Sequence, residues 1–199
     1  MTDWGRHLDL RGALVGTKMS LIAGLGAAIE AQNAANAADP NEVTLGGQTY
    51  SLKGVEAPSV PSERIRIRHT GPRNAQSIKL AEINITAVPG AQLQEMGLGA
   101  ALAEWAVGVY ATMGRGDDAS VPGAGLDEEE ALLLRCLTLV AACREAIRAP
   151  GTGIHQRYGH HGTRLTAPRI VALDFDQTDR VTQVTGETIW RLQGVAWDE

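Results

Sequence analysis

The chain has 199 residues, of which 44% are hydrophobic and 21% are charged. A chain of this length buries roughly 70% of its unfolded surface, so we expect one domain over residues 1–199 with a sizeable core. The composition excludes disordered, collagen-like and disulfide-stapled proteins. The net charge of −5 argues against a protein that clamps DNA phosphates, but not against one that surrounds DNA without gripping it.

A first helix is predicted over about 8–32, where apolar side chains such as Leu21 and Leu25 recur at helical spacing. Only eleven uncharged residues lie between Lys18 and Glu30, fewer than the roughly 20 that a membrane helix requires. Charged residues at the very start also argue against a secretory segment. We therefore expect synthesis in the cytoplasm and no contact with a membrane.

Residues 31–61 are predicted to form a loop insertion with one short strand near Tyr50. The segment begins with Ala, Asn and Asp residues, and it continues with the Gly46-Gly47 pair and with Pro58 and Pro61. These residue types are typical of turns and loops.

The next segment, 63–69, alternates strictly between apolar and charged residues. Ile65 and Ile67 would share one face of a strand, with Arg64, Arg66 and Arg68 on the other. This pattern predicts a half-buried strand with a cationic outer face. The three arginines are either solvated or, as our candidate interface residues, meet acidic side chains of another subunit, where guanidinium–carboxylate pairs fix orientation.

Two further alternating runs predict strands over 81–88 and 101–113. The first places Ile83 and Ile85 on one face and Asn84 on the other, and it ends at Pro89, which cannot continue a strand ladder. The second alternates in the same way over thirteen residues. Both are interpreted as strands of one sheet.

A second helix is predicted from Asp127, which can cap it together with Glu130 three residues later. The run 131–147 is apolar on nearly every side, so we expect a sheet on one side and another element, such as a neighbouring subunit, on the other. Cys136 and Cys143 lie two turns apart along this helix. They are interpreted as buried apolar residues without a disulfide or metal.

Residues 151–168 are predicted to form a second loop insertion, rich in Gly and containing His155, His160 and His161. We expect no metal there, because the flanking glycines leave the backbone unfixed. Strands are predicted over 169–176 and 187–197. The whole pattern predicts an α+β fold, with a mixed or antiparallel sheet packed by two helices and carrying long loops.

The strand at 169–176 runs into the motif Asp174-Phe175-Asp176-Gln177-Thr178. This Asp-x-Asp-x-Thr spacing resembles the nucleophile loop of haloacid-dehalogenase-type phosphatases, which implies nucleophilic catalysis beside a magnesium ion. That loop opens its domain in those enzymes, whereas here only 21 residues follow Thr178 and no lysine follows Lys79. We therefore favour turn residues, and predict no catalytic residues, cofactor or metal.

The order of elements resembles that of the tail terminator, or neck, proteins of long-tailed bacteriophages. The resemblance rests on an N-terminal helix, a strand ending in proline, a long alternating strand, an acid-capped helix and two final strands. The segments that carry this resemblance are Ile83-Asn84-Ile85-Thr86-Ala87-Val88-Pro89-Gly90, the strand 104–113, the helix 127–147 and the strand 170–176. The loops 31–61 and 151–168 depart from the pattern and are candidates for contacts with neighbouring rings.

This resemblance implies a virion structural protein, not an enzyme, that forms a ring of about six copies. The ring would terminate the tail tube and join it to the head connector, while genome DNA passes through the lumen without specific binding. Assembly would take place in the cytoplasm of the bacterial host. The alternatives are another neck or tail-tube subunit, the magnesium-dependent phosphatase, or a small monomeric scaffold.

Overall fold

The computed structural model describes residues 10–68, 81–88, 92–97, 100–115, 126–149 and 164–197. Two helices pack on one face of a seven-stranded sheet, and a two-stranded hairpin lies apart from that sheet. The helices are α1 (Leu10–Ala38) and α2 (Glu128–Arg148). The strands are β1 (Val43–Leu45), β2 (Gln48–Tyr50), β3 (Ile65–Ile67), β4 (Glu82–Ala87), β5 (Gln92–Gly97), β6 (Ala100–Gly114), β7 (Arg164–Leu165), β8 (Arg169–Phe175) and β9 (Val181–Trp197). The predicted α+β class is confirmed.

The long strands β6 and β9 form the centre of the sheet and pair antiparallel along their whole shared length. On one side, β6 pairs with β4 and then with β5, and β3 lies beyond β4. On the other side, β9 pairs with β8 and β7. The β3–β4 pair is parallel and the remaining pairs are antiparallel. At its widest the sheet therefore runs β3-β4-β6-β9-β8, with β3 and β8 at its two edges.

Three of the predicted strands occur close to their expected bounds, as β4, β6 and β8. The last strand, predicted over 187–197, begins earlier, at Val181. The pattern near Tyr50 is one half of the β1–β2 hairpin, whose turn is formed by Gly46 and Gly47 at positive φ. A glycine pair is the usual solution for such a tight turn, because other residues are strained there.

The predicted end of the first helix is wrong, because α1 continues to Ala38. Two asparagines that suggested a loop are helical and hold the following segment through their side chains. Asn33 donates to the carbonyl of Ala57 at 3.1 Å and accepts from its N–H at 2.8 Å. Asn36 donates to the carbonyl of Val55 at 2.8 Å. The side-chain amides of Asn33 and Asn36 therefore supply the hydrogen bonds that a neighbouring strand would otherwise give to the backbone at 55–57.

The hairpin is fastened to the end of α1 by Asp39. Its carboxylate accepts from the N–H of Leu52 at 2.6 Å, the hydroxyl of Ser51 at 3.1 Å and the N–H of Asn41 at 3.1 Å. The hydrogen bond from Leu52, followed by those from Asn41 and Ser51, lowers the pKa of Asp39 despite its desolvation. The ionised side chain of Asp39 therefore holds the two ends of the segment 39–52 together.

The core lies between the helices and the sheet. Trp190 of β9 is fully buried, and its indole N–H donates to the hydroxyl of Thr17 at 2.9 Å. That hydroxyl donates in turn to the carbonyl of Ala13 at 2.7 Å. This chain of two hydrogen bonds satisfies the polar groups that join α1 to the middle of the sheet.

The element predicted beside the apolar helix α2 is α1 of the same chain, and both helices rest on the sheet. A contact of α2 with a neighbouring subunit stays a prediction. The two helices come close at Gly24 of α1, where an added Cβ would lie 3.5 Å from Ala146 of α2, an ordinary van der Waals distance. The predicted cap of α2 is confirmed, with Asp127 and Glu130 forming a capping box. Cys136 and Cys143 are free and buried, as predicted. Burial raises the pKa of Cys136 to about 12 and that of Cys143 further still.

Among the described residues, α1 is long and apolar enough by length and composition to span a membrane. Its inner stripe, which includes Leu21, Leu25 and Ile29, is buried against the rest of the chain. Its outer side leaves Met19 and Ile22 exposed. Core helices pass the same test, and burial explains the apolar character of the inner stripe.

The second predicted loop, 151–168, lies outside the described residues up to 163, together with its three histidines. Its last part is not all loop, because Arg164 and Leu165 form β7 beside Arg191 and Trp190 of β9. A pattern of two residues is too short to be recognised as a strand from alternation.

Candidate functional site

The two faces of the sheet differ in chemistry because the strands alternate and their registers align like with like. Residues facing the helices are mainly apolar, as in Ile85, Val109 and Trp190. The opposite face, here called the polar face, carries a set of polar and charged side chains that are aligned across the strands. Its members include Arg66, Glu82, Asn84, Thr86, Tyr110, Thr112, Arg169, Asp174, Gln183, Thr185 and Glu187.

One row of the polar face crosses five of the seven strands. The register places Arg66, Asn84, Tyr110, Glu187 and Arg169 side by side, from β3 to β8. Glu187 is 4% exposed and is paired with the guanidinium group of Arg169. Burial and the carboxylate of Glu187 raise the pKa of Tyr110, so its phenol stays protonated and can donate to Glu187.

The ring of Tyr110 lies across Gly108 in the same strand. A Cβ at Gly108 would come within 2.6 Å of the ring. A side chain at this position would therefore have to displace the ring of Tyr110 from the backbone.

Hydrogen bonding on the polar face is incomplete among the described residues. Asn84 donates to Glu82 at 3.1 Å, and Thr112 bonds with Thr185 at 3.1 Å. Asn84 Oδ1 and Gln183 Oε1 are buried without a protein partner. Since a buried polar atom without a partner costs about 1–3 kcal/mol, these two amide oxygens lower the stability of the fold locally.

The three predicted interface arginines do not form one cationic strand face. Arg64 belongs to a 3-10 turn, Ser62–Arg64, and only Arg66 lies within β3. Arg68 follows the strand, and its guanidinium group is half-buried 4.0 Å from the carboxylate of Glu82. The strand is shorter than predicted because the 3-10 turn takes up its first residues.

The exposed part of this edge combines Arg66 with an apolar residue. Arg66 is exposed, and its Nε donates to the carbonyl of Glu63 at 3.0 Å. Ile65 is buried, but Ile67 is 38% exposed, contrary to the prediction that both isoleucines are covered. We call Arg64 with β3 the β3 edge.

The opposite edge of the sheet carries a larger apolar surface. In β8, Val171, Leu173 and Phe175 are 39%, 42% and 53% exposed. Asp174, between the last two, lies on the polar face opposite Gln183. Among the described strands, β9 is the one partner of β8, so β8 is an edge strand of the described sheet. We call β8 with Asp176 the β8 edge.

The Asp-x-Asp-x-Thr motif forms the turn between β8 and β9. One carboxylate oxygen of Asp176 accepts from the N–H and hydroxyl of Thr178, at 2.8 and 2.6 Å, and from the N–H of Arg180 at 3.1 Å. These bonds, with Thr178 first, lower the pKa of Asp176. Asp179 completes the turn at a φ of 57°. Turn formation therefore explains the spacing of Asp176 and Thr178, whereas Asp174 lies within β8.

A cleft of about 400 Å³ opens at the start of α2 and is lined by Arg115, Glu128, Glu129 and Arg180 among others. Arg115 is paired with Glu128. The helix N–H groups of Glu129 and Glu130 are already bonded to Asp127. The cleft thus carries two arginines beside the three carboxylates of Asp127, Glu128 and Glu129. In the described part of the chain, no three His, Cys, Asp or Glu residues are grouped to hold a metal ion.

Sequence reasoning identified the arginines of the β3 edge but missed the β8 edge. The alternation of Val171, Leu173 and Phe175 predicts one shared face of a strand, but that pattern is the same in a central and an edge strand. The exposure follows from the position of β8 in the sheet, which depends on long-range pairing.

No family model matches the chain, and no match was found among curated proteins.

Proposed function

We propose that this protein is a structural subunit that assembles with copies of itself. In the finer form of the proposal, it forms a ring of about six copies at the neck of a long-tailed bacteriophage. There it terminates the tail tube and joins it to the head connector. The observation that carries the proposal is the β8 edge, an open strand with three large apolar side chains 39–53% exposed.

An open edge strand is a template for pairing with another chain. Proteins that remain monomeric usually protect such strands with lysines, prolines, bulges or a covering loop. β8 has no lysine and no proline, and it presents Leu173 and Phe175 instead. β8 does carry register irregularities against β9, but these do not remove its exposed apolar side chains. These features support an edge that is used for assembly.

A ring is favoured over a symmetric dimer because the two edges differ. A contact between unlike surfaces is head-to-tail, and copies joined in this way form a ring when the rotation closes. A compact chain of 199 residues has a radius of gyration of about 16 Å, too small to encircle DNA alone. A lumen large enough for DNA therefore needs several copies.

The phage assignment rests on the resemblance in element order. The α+β fold and the acid-capped α2 agree with that resemblance. The net charge of −5 is compatible with a lumen through which the genome passes without specific binding. The proposed partners are copies of the chain, the tail-tube protein and the head connector, within the virion.

Light scattering after size exclusion, with negative-stain microscopy, tests the assembly. We expect a discrete ring for the full chain, and capping of purified tail tubes where these are added. The double variant Leu173→Lys, Phe175→Lys should remain monomeric, because lysines on an edge strand oppose pairing. Leu45→Lys is the matched control, since Leu45 is 64% exposed on the β1–β2 hairpin. A chain that stays monomeric at high concentration and ignores tail tubes contradicts the proposal.

A further inference from the structure

We infer that the β8 edge of one copy pairs antiparallel with the β3 edge of the next, with Asp174 opposite Arg66. This inference rests on the proposed self-assembly and names the surfaces that meet. The partner is a second copy of this chain.

Strand direction permits the pairing. β3 runs parallel to β4, and β4, β6, β9 and β8 then alternate in direction. β3 and β8 therefore run in opposite directions. If the sheet continues from one copy into the next, β8 meets the β3 edge as an antiparallel partner, which is the pairing used by most of this sheet.

Both faces of the two edges are complementary. On the face toward the helices, the β3 edge carries Ile65 and Ile67 and the β8 edge carries Leu173 and Phe175. On the polar face, Arg66 of one edge would meet Asp174 of the other. Apolar side chains thus face apolar ones, and a cation faces an anion, across one continuous sheet.

The register follows from the same residues. With Asp174 opposite Arg66, Leu173 lies opposite Ile67 and Phe175 opposite Ile65. The same register places Arg64 opposite Asp176 and Arg68 opposite Ala172. A shift of two residues in one direction sets Ile65 against Gln177, and a shift in the other sets Arg66 against Ala172. Only the central register gives both isoleucines of β3 an apolar partner and Arg66 an acidic one.

The other charges near the two edges do not oppose this register. Arg169, the cation within β8, is paired with Glu187 of its own chain. Glu63 lies before the strand, and its carbonyl accepts from Arg66. Asp174 is half-buried on the polar face, where low dielectric strengthens its attraction to a guanidinium group.

Disulfide trapping tests the pairing in the full chain. In the double variant Ile67→Cys, Leu173→Cys, mild oxidation should give a covalent ladder that ends at the ring size. The bond must form between copies, because the two edges of one chain are about 19 Å apart across four interstrand spacings of ~4.8 Å. Cys136 and Cys143 are buried and are not expected to react in the folded protein.

The single variants are the controls. Neither Ile67→Cys nor Leu173→Cys alone should cross-link, whereas an equal mixture of the two should give covalent dimers and no ladder. Dimers formed by Leu173→Cys alone would show that two β8 strands meet, and they would overturn the inference. A ladder from Ile67→Cys, Phe175→Cys in place of the first pair would overturn the register.

Charge reversal provides a second readout. Arg66→Asp should weaken assembly about tenfold, and adding Asp174→Arg should restore it. Rings that form without cross-linking, and that ignore both reversals, refute this interface but leave the proposed function standing. Wild-type protein that forms no ring, with no cross-linking of the cysteine pair, refutes both.

Discussion

The hydroxyl of Thr17 links α1 to the sheet through a hydrogen bond. It accepts from the indole of Trp190 at 2.9 Å and donates to Ala13 at 2.7 Å, and both Thr17 and Trp190 are fully buried. Valine has almost the same shape but no hydroxyl. Thr17→Val therefore leaves the indole N–H without a partner in an apolar setting.

We expect Thr17→Val to lower the free energy of unfolding by about 1–3 kcal/mol, the cost of one buried unpaired donor. Urea denaturation followed by tryptophan fluorescence measures this change. Thr17→Ser keeps the hydroxyl and should retain the bond to Trp190. If valine and serine variants unfold at the same urea concentration, the indole hydrogen bond does not contribute to stability.

Single residues also show where sequence reasoning is strong and where it fails. Asp127 and Glu130 were identified as a capping box, because a cap depends only on neighbours three residues apart. Arg68 was placed on an exposed face, yet it is half-buried beside Glu82. That contact joins β3 to β4 across a long sequence separation, and no local pattern predicts it.

At the scale of elements, α2 approaches the sheet closely at Gly186 of β9. A Cβ there would lie 2.7 Å from Val140 and 3.3 Å from the backbone oxygen of Arg169. We expect Gly186→Ala to cost about 1–3 kcal/mol, because the added methyl group overpacks the contact between helix and sheet. Urea denaturation measures the difference from wild type.

Gly26→Ala is the matched control for this substitution. Gly26 lies in α1, where a Cβ meets nothing within 4 Å. Alanine should stabilise the helix there by up to about 1 kcal/mol. Equal effects of the two substitutions would contradict the close approach of α2 to β9.

The link between α1 and the hairpin should depend on pH through Asp39. Its pKa in the folded chain is lowered, chiefly by the hydrogen bond from Leu52. A lowered pKa stabilises the fold above the unfolded pKa of about 3.9, and this stabilisation is lost as the pH falls through the folded pKa. We therefore expect Asp39→Asn to be less stable than wild type at neutral pH, with a smaller difference near pH 3. A difference that stays constant across this range, measured by urea denaturation, contradicts the prediction.

The elements themselves were largely predictable, and their partners were not. The alternation in β4 and β6 and the apolar run in α2 follow from local spacing. The last turns of α1 were missed because asparagine favours loops, whereas here Asn33 and Asn36 bond to the distant segment 55–57. The placement of β3 and β8 at the two edges is also a long-range property.

For the whole molecule, the one-sided helix layer determines how copies can join. α1 and α2 cover one face of the sheet, and side chains of the polar face such as Asn84, Thr112 and Glu187 are themselves buried, so the edges of the described sheet are the surfaces offered to another chain. Joining through the edges would keep every helix layer on the same side of a continuous sheet. The unpartnered amide oxygens of Asn84 and Gln183 would then lie on the side opposite the helices in every copy.

The burial of the two cysteines determines when their thiols can be oxidised. Cys136 and Cys143 are residues of α2. Both are covered by the elements packed against this helix and are 0% exposed. Oxidants in the medium cannot reach either sulfur by surface collision, and damage requires the helix to lift away from the strands. The fraction of these thiols that is oxidised therefore reports how often the molecules have opened since they were made. This holds for a single chain and for an assembly.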